Sequence, residues 1–301
     1  MKTLISSVFF TFLSISLLAQ APVDLKLKLE KGKVYTIKNT AKQAIQQTAN
    51  GQQFAIDVVT NNVITFKVLQ QDKDIMDIEF KFDTIASKIS SPMFKRETNS
   101  TKPGSEPLEK VMNKMSKYKI VAKINTAGKF VNFVNYGKFR DSIMFVLDSI
   151  PASKRDDARK QADALLKESA VKSMIEPLFS YLPDKPVKTG ESWETSFFSM
   201  NSNLSLLLLN SYTLNGVENN TAKISGKSDV ESMPSNDPAA QMTQDLKGTS
   251  TYDGTLDIST GLALRNTAKS HFEGATTVKN NGNEMKMPMK IDGESETIMI
   301  K

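Results

Sequence analysis

The feature that most constrains this chain is strict alternation. Met76, Ile78, Phe80 and Phe82 fall on one parity, and Asp77, Glu79, Lys81 and Asp83 on the other. A period of two places the two sets on opposite faces of a β-strand, one buried and one wet. The same mark stands earlier, where Leu25, Leu27 and Leu29 alternate with Lys26, Lys28 and Glu30. Further strands are predicted from about Lys33 to Thr48, from Gln52 to Leu69 and from Ile75 to Ile85. Lys31-Gly32, Ala49-Asn50-Gly51 and Gln70 to Lys73 turn the chain between them, because Gly and Asn reach positive φ cheaply. Eighteen residues of strand span about 60 Å at ~3.3 Å per residue. A flat slab of this chain is not that wide, so the sheet bends, twists or carries bulges. Long antiparallel meanders with one apolar face curl into barrels or half-barrels.

Residues 91–107 read as a linker rich in Pro, Ser, Thr and Gly. Ser105-Glu106-Pro107 then opens a short helix to about Lys117, with Ser at the N-cap and Pro just inside. Tyr118 to Asn125 and Lys129 to Asn135 form a hairpin around Thr126-Ala127-Gly128. The period changes over 137–181. Ile143, Phe145, Val146, Leu147 and Ile150 predict one helix, and Ser153 with Asp156 caps a second. Strands resume after Pro186: one from Thr189 through Trp193, then Ser205 to Leu214 and Ala222 to Val230. A short helix is placed within 234–247. Thr249 to Ile258 and Leu262 to Lys269 pair around Ser259-Thr260-Gly261, with further hairpins at Asn280-Asn281-Gly282 and Asp292-Gly293.

The expected fold class is α+β: a long, curved antiparallel β-sheet, half-barrel-like, with a central helical insertion. The expected division is a signal peptide over 1–20 and a single domain over 21–301. That domain holds a strand half 22–135, the helical insertion 137–181 and a strand half 187–301. The halves echo each other. Gly32-Lys33-Val34-Tyr35 matches Gly190-Glu191-Ser192-Trp193, and Ile124 to Gly128 matches Ile258 to Gly261. Two related halves account for this, and so does generic hairpin chemistry.

Several of these segments also stand in a familiar order. They are Leu27 to Tyr35, Gln46-Gln47-Thr48 with Gly51-Gln52, Leu182-Pro183 through Trp193, and Leu246-Lys247-Gly248-Thr249 ahead of Asp257 to Gly261. In this order they resemble an uncharacterised family of exported bacterial proteins, the domain of unknown function six-two-six-three. The resemblance implies an envelope location and a mostly antiparallel β architecture. It implies no activity and supplies no catalytic residue.

The opening of the chain agrees on compartment. Lys2 precedes an apolar run from Leu4 to Leu18, followed by Ala19-Gln20-Ala21. About 15 apolar residues fall short of the roughly 20 that span a bilayer, and they fit a secretory signal peptide. The mature chain is expected to hold no transmembrane segment and to be periplasmic or extracellular. The absence of Cys removes disulfides, thiolate metal sites and cysteine nucleophiles. One His leaves no multi-histidine site. The net charge of +6 is spread over dispersed lysines, so no nucleic-acid face is expected.

Chemistry-bearing constellations are few. His271 has no Gly-x-Ser-x-Gly elbow to serve, and reads as a surface imidazole. Asp72, Asp74 and Asp77 crowd a turn but lack the glycine and distal glutamate of an EF-hand. Met285, Met287 and Met289 share one strand face, which suits Cu(I) or, more plainly, gap-filling in an apolar face. Trp193 plugs the core or lines a ligand pocket with Phe197 and Phe198. Leu204 to Leu209 reads as a strand buried on both faces. No catalytic residue, metal site or cofactor is expected. The expected function is a non-enzymatic envelope protein holding a lipid-like or other apolar ligand between curved sheet and helices. The alternative is a structural or protein-interaction module with a filled core, whose partner is another envelope protein.

Overall fold

The computed structural model describes residues 21–49, 51–201, 204–233, 242–280 and 283–300. The first half of the chain supplies β1 (Val34–Ala49), β2 (Gln52–Asp72), β3 (Ile75–Ser90), β4 (Lys95–Asn99), β5 (Lys119–Asn125) and β6 (Phe130–Phe133). The second supplies β7 (Ser192–Asn201), β8 (Leu204–Glu218), β9 (Thr221–Ser232), β10 (Met242–Asp257), β11 (Ala263–Asn280) and β12 (Asn283–Met299). They form one antiparallel sheet in the order β6-β5-β3-β2-β1-β12-β11-β10-β9-β8-β7, with β4 beside β3. Each half is a meander. The first and last strands join them at the centre, from Ile37 opposite Met299 to Gln47 opposite Met289.

The sheet is curved, and pairing slips mark where it bends. They lie at Val63/Ile64 and Val68/Gln70 between β2 and β3, at Leu214/Gly216 between β8 and β9, and at Thr255/Leu256 between β10 and β11. Each slip adds a residue to one strand and increases the local twist.

Helices bridge the gap between the two sheet edges. α1 (Pro107–Met115) lies against β4; α2 (Tyr136–Met144) and a 3₁₀ turn at Phe145–Ser149 lead to α3 (Ala152–Leu165) and α4 (Glu168–Ile175). α1 touches α3, α3 touches α4, and α4 runs along β7. A second 3₁₀ turn, Glu176–Leu178, leads back towards the sheet. Helices are few, so the expected α+β class narrows to a mostly antiparallel β protein. Their starts also differ from expectation. Glu106 rather than Ser105 caps α1, with the Glu109 carboxylate accepting from the Glu106 N–H at 3.3 Å, and α3 begins after Pro151.

The core sits at one end of the long strands. Met76, Ile78, Phe80 and Phe82 are buried there as their alternation predicts. Phe66 is its hub, with ring centroids of Tyr35, Phe80 and Phe179 at 5.6, 5.7 and 5.5 Å. Leu25, Leu27 and Leu29 are buried too, but their segment is not a strand of the ladder. It crosses the end of the sheet in extended form, held by loops. Leu27 N–H donates to the Thr126 carbonyl (2.7 Å) and Lys28 N–H to the Thr260 carbonyl (3.0 Å). Alternation is satisfied by any extended segment with one buried face, whatever its partner.

Other local signals are overridden by pairing. Residues 234–241 lie outside the described residues, as does most of the Asn280-Asn281-Gly282 turn, but 242–247 belong to β10 and not to a helix. Asp292 and Gly293 are interior to β12, paired with His271 and Ser270. A Cβ on Gly293 would lie 2.5 Å from Ser270 Oγ, so the glycine answers crowding between strands and not a turn. β8 is not buried on both faces: Leu206 and Leu208 point inward, while Leu209 is 53% exposed.

Candidate functional site

The pairing registers assign every strand residue to a face. Tyr35, Ile37, Tyr212, Leu214, Ile224 and Leu256 point to the core and define the inner side. Along β1 and β7 to β12, every Asp, Glu, Lys and Arg lies on the outer face. There the charges form cross-strand pairs, including Arg265–Glu296 at 2.7 Å, Lys290–Glu273 at 2.7 Å and Lys247–Glu231 at 3.4 Å. The inner face carries no charge from the core to the far end of these strands.

Beyond the core the inner face is banded. Thr195, Asn210, Ser228, Ser250, Ser270 and Gly293 stand opposite one another from β7 to β12, a row of small uncharged groups. Asn210, Ser228 and Ser250 are 2%, 1% and 5% exposed. The next row outward is apolar: Phe197, Leu208, Val230, Phe272 and Ile291, continued by Ile45 and Ile56 on β1 and β2. Gly248 completes it on β10, where a Cβ would lie 2.5 Å from the Phe272 ring. Further out, Met289 is buried and Met285 is 38% exposed. The three methionines do share the inner face. Met289 Sδ accepts from Thr276 Oγ1 at 3.5 Å, and no group of metal-binding side chains occurs among the described residues.

A cleft of about 920 Å³ opens beside the edge strand β7, between it, the β5–β6 turn and the segment after α4. Phe130, Lys129, Glu176 and Asp184 line one side; the other is the edge of β7 to β9, with Thr195 and Asn210 from the inner face and Glu194, Ser196, Leu209, Ser211, Lys227 and Asp229 from the outer. Lys129 pairs with Asp184 at 2.6 Å. Lys172 lies 3.3 Å from Glu176 Oε1 and its Nζ sits 5.3 Å from the Phe130 ring centroid. Burial pushes the Glu176 carboxyl above its ordinary range, against the pull of Lys172. Two acceptors here, Glu176 Oε2 and Asn210 Oδ1, are buried without a hydrogen-bond partner among the described residues. One N–H of the Asn210 amide donates to Thr195 Oγ1 at 3.3 Å.

The three aromatic residues singled out from the sequence are divided by this geometry. Trp193 is buried, stacked on Tyr212 at 5.9 Å, and donates from Nε1 to the Tyr181 carbonyl at 2.9 Å. Phe197 joins it on the inner face, in the apolar row. Phe198 points outward and is 51% exposed, so the three do not line one pocket. His271 lies on the outer face, with Nδ1 at 2.7 Å from Asp292 Oδ1 and Nε2 at 3.3 Å from Glu273 Oε1. Those hydrogen bonds, the one to Asp292 first, hold its pKa above the usual value. Both ring nitrogens face carboxylates, not a nucleophile. Asp77 is held by Lys123 and Gln70, at 2.6 and 2.7 Å. Asn210 and Glu176 escaped the sequence reading, because only the fold brings β8 and the end of α4 together.

Fold and site define a curved-sheet protein with a charged outer face, an inner face uncharged along β1 and β7 to β12, and a cleft at one sheet edge. The chain belongs to the Family of unknown function (DUF6263), matched over residues 73–263. No curated protein matches it. Among solved structures it is similar to the COG4313 outer membrane channel from Pseudomonas putida F1, at 9% identity over 91% of this chain and 97% of that one, with a TM-score of 0.27. The outer membrane protein OprG from Pseudomonas aeruginosa matches at 8% identity over 91% and 99%, with a TM-score of 0.25. At scores this low the overall arrangements differ, and they bear on neither fold nor function.

Proposed function

We propose that this chain is a non-enzymatic protein of the bacterial envelope that holds an apolar or amphiphilic molecule against the inner face of its sheet. The observation that carries the reading is the segregation of charge: none on the inner side of β1 and β7 to β12, all of it outside. A face that only packed against itself would not need its polar row to be uniformly small and neutral. Concave, mostly apolar surfaces with a few placed polar groups are the usual ligand sites. The signal-peptide reading of 1–20, which lies outside the described residues, supports export to the periplasm or beyond. The pairing of β1 with β12 supports one domain over 21–301. The turns at Gly128 and Gly261, each gripping the extended N-terminal segment, support two related halves of a half-barrel.

The test is native mass spectrometry of the protein purified from its own envelope, with a hydrophobic dye titrated into the same sample. A stoichiometric adduct of lipid-like mass, displaced by the dye, is expected. A clean apo mass together with dye exclusion overturns the reading. The second reading, a protein-interaction module, is favoured by one observation. Phe198 and Leu209 stand exposed together on the outer face of β7 and β8.

A further inference from the structure

We infer that the cleft beside β7 receives the uncharged, hydroxyl-bearing head group of an amphiphile whose chain lies along the apolar row. The inference rests on the reading that the inner face takes an apolar chain, and it names the chemistry at the other end of that molecule.

Three observations carry it. The first is the pair of orphan acceptors. Asn210, 2% exposed, lines the cleft with a partnerless Oδ1, and Glu176 lines it with a partnerless Oε2. Buried acceptors without donors are costly, so groups left this way mark where a donor is missing. A ligand hydroxyl supplies one.

The second is the charge of the lining. The lining carries the carboxylates Glu176, Asp184, Glu194 and Asp229 against the lysines Lys129 and Lys227, an acidic excess that disfavours a phosphate or carboxylate head. For an ammonium head, Asp184 is already paired with Lys129 and Glu176 with Lys172, and Glu194 and Asp229 lie on the outer face of β7 and β9, away from the inner-face Asn210. On the inner side the lining offers the neutral Thr195 hydroxyl and the partnerless Asn210 Oδ1, which suits a sugar or polyol. The Phe130 ring offers a flat apolar flank.

The third is continuity. Thr195 and Asn210 belong both to the cleft and to the inner face. Phe197 and Leu208, two residues further along the same strands, begin the apolar row. A head at Asn210 therefore places its first chain carbons about 7 Å from that row, two residues of strand rise.

Trp193 gives the readout. It is the only tryptophan of the chain, and it lies two residues from Thr195 on the same face. Its emission is followed during titration of the full mature protein with octyl glucoside, methyl octyl ether (which has no hydroxyl), octyltrimethylammonium and octyl phosphate, each below its micelle or solubility limit. Octyl glucoside is expected to bind at least tenfold more tightly than the other three. Asn210→Leu and Glu176→Leu are each expected to weaken octyl glucoside about tenfold and to leave methyl octyl ether unchanged. Circular-dichroism melts check that the variants fold. If one does not, the head-group series on the unaltered protein decides alone. Equal binding of all four probes, or variants that leave octyl glucoside unchanged, overturns the head-group inference while the chain reading stands. Tighter binding of the ammonium overturns the neutral class. Binding of no probe at all removes the chain reading and this inference together.

Discussion

Placing a carboxylate at Ser228 tests whether the inner face is dry. Ser228 is 1% exposed, in the middle of the neutral row between Asn210 and Ser250. An aspartate there titrates near 3.9 in the unfolded chain, and full burial raises a carboxyl by up to about 3–5 units. The folded value of Ser228→Asp is then about 7–9. Below pH ~3.9 both states carry the proton and ionisation costs nothing. Above that, the unfolded state ionises first, and stability falls by about 1.4 kcal/mol per pH unit until the folded value is reached. The ionisation cost at pH 7 is about 4 kcal/mol on this reasoning, a large fraction of the usual 5–15 kcal/mol of a folded domain. The control is Thr251→Asp, on the outer face between Lys227 and Lys269, expected to stay within about 0.5 kcal/mol of the unaltered chain. Urea unfolding followed by Trp193 emission at pH 4, 5.5 and 7 measures both. The Ser228→Asp deficit should grow by about 2 kcal/mol between pH 5.5 and 7. A deficit that is flat over that range would mean a normally ionising, hydrated aspartate, and would refute the claim that charge is absent inside because it cannot be solvated there.

Two further outcomes test how the N-terminal segment and the cleft wall are held. A Cβ at Gly261 (φ +74°) would lie 2.2 Å from the Lys26 carbonyl oxygen, and one at Gly128 (φ +78°) 2.5 Å from the Phe179 carbonyl oxygen, whereas Gly32 (φ +79°) has nothing within 4 Å. Gly32→Ala should therefore show the backbone cost alone, about 1–2 kcal/mol, and Gly261→Ala and Gly128→Ala clearly more, read as larger losses of melting temperature by calorimetry. Tyr181 is buried, donates to the Gly261 carbonyl at 3.1 Å and accepts from the Ala263 N–H at 2.8 Å. Tyr181→Phe should cost about 1–3 kcal/mol through the two backbone groups it strands, measured by urea unfolding; a neutral result would show that water replaces the hydroxyl.

What was legible in the sequence is what is local. The parity of Met76 to Asp83 fixes a strand and its buried side without knowledge of any neighbour. The glycine turns at 128 and 261 announce themselves by residue type, and both do adopt positive φ. Parity alone also separates Phe197 from Phe198, since consecutive strand residues face opposite ways. The rows of the inner face were not legible. They exist only when seven strands are in register, and that register depends on β1 meeting β12 across most of the chain. Asp292-Gly293 shows the same limit from the other side: a dipeptide that favours a turn is held straight by partners on both flanks. Glu176 carried no signal, being one carboxylate at the end of an amphipathic helix.

The distribution of charge also bears on which face of this sheet would meet an apolar partner. A barrel that crosses a membrane turns apolar side chains outward to lipid and polar ones inward to water. Here the order is inverted. Lys290, Asp292, Glu294 and Glu296 on β12 and Arg265, Lys269 and Glu273 on β11 all point outward, while Phe272, Met289 and Ile291 point inward. Each outward charge placed at mid-bilayer depth would cost up to about 2–4 kcal/mol for Arg or Lys, and β11 and β12 alone carry several. Among the described residues no helix is long and apolar enough to cross a membrane either. The charges on the outer side of β11 and β12 favour water there, and on the proposed reading the apolar companion lies on the inner side. The polar row between core and apolar band then has a physical place. On the proposed reading, it would let a molecule with both characters lie along the strands with each end matched. This is why the head-group series and the Ser228→Asp titration probe the same design from the ligand and from the protein.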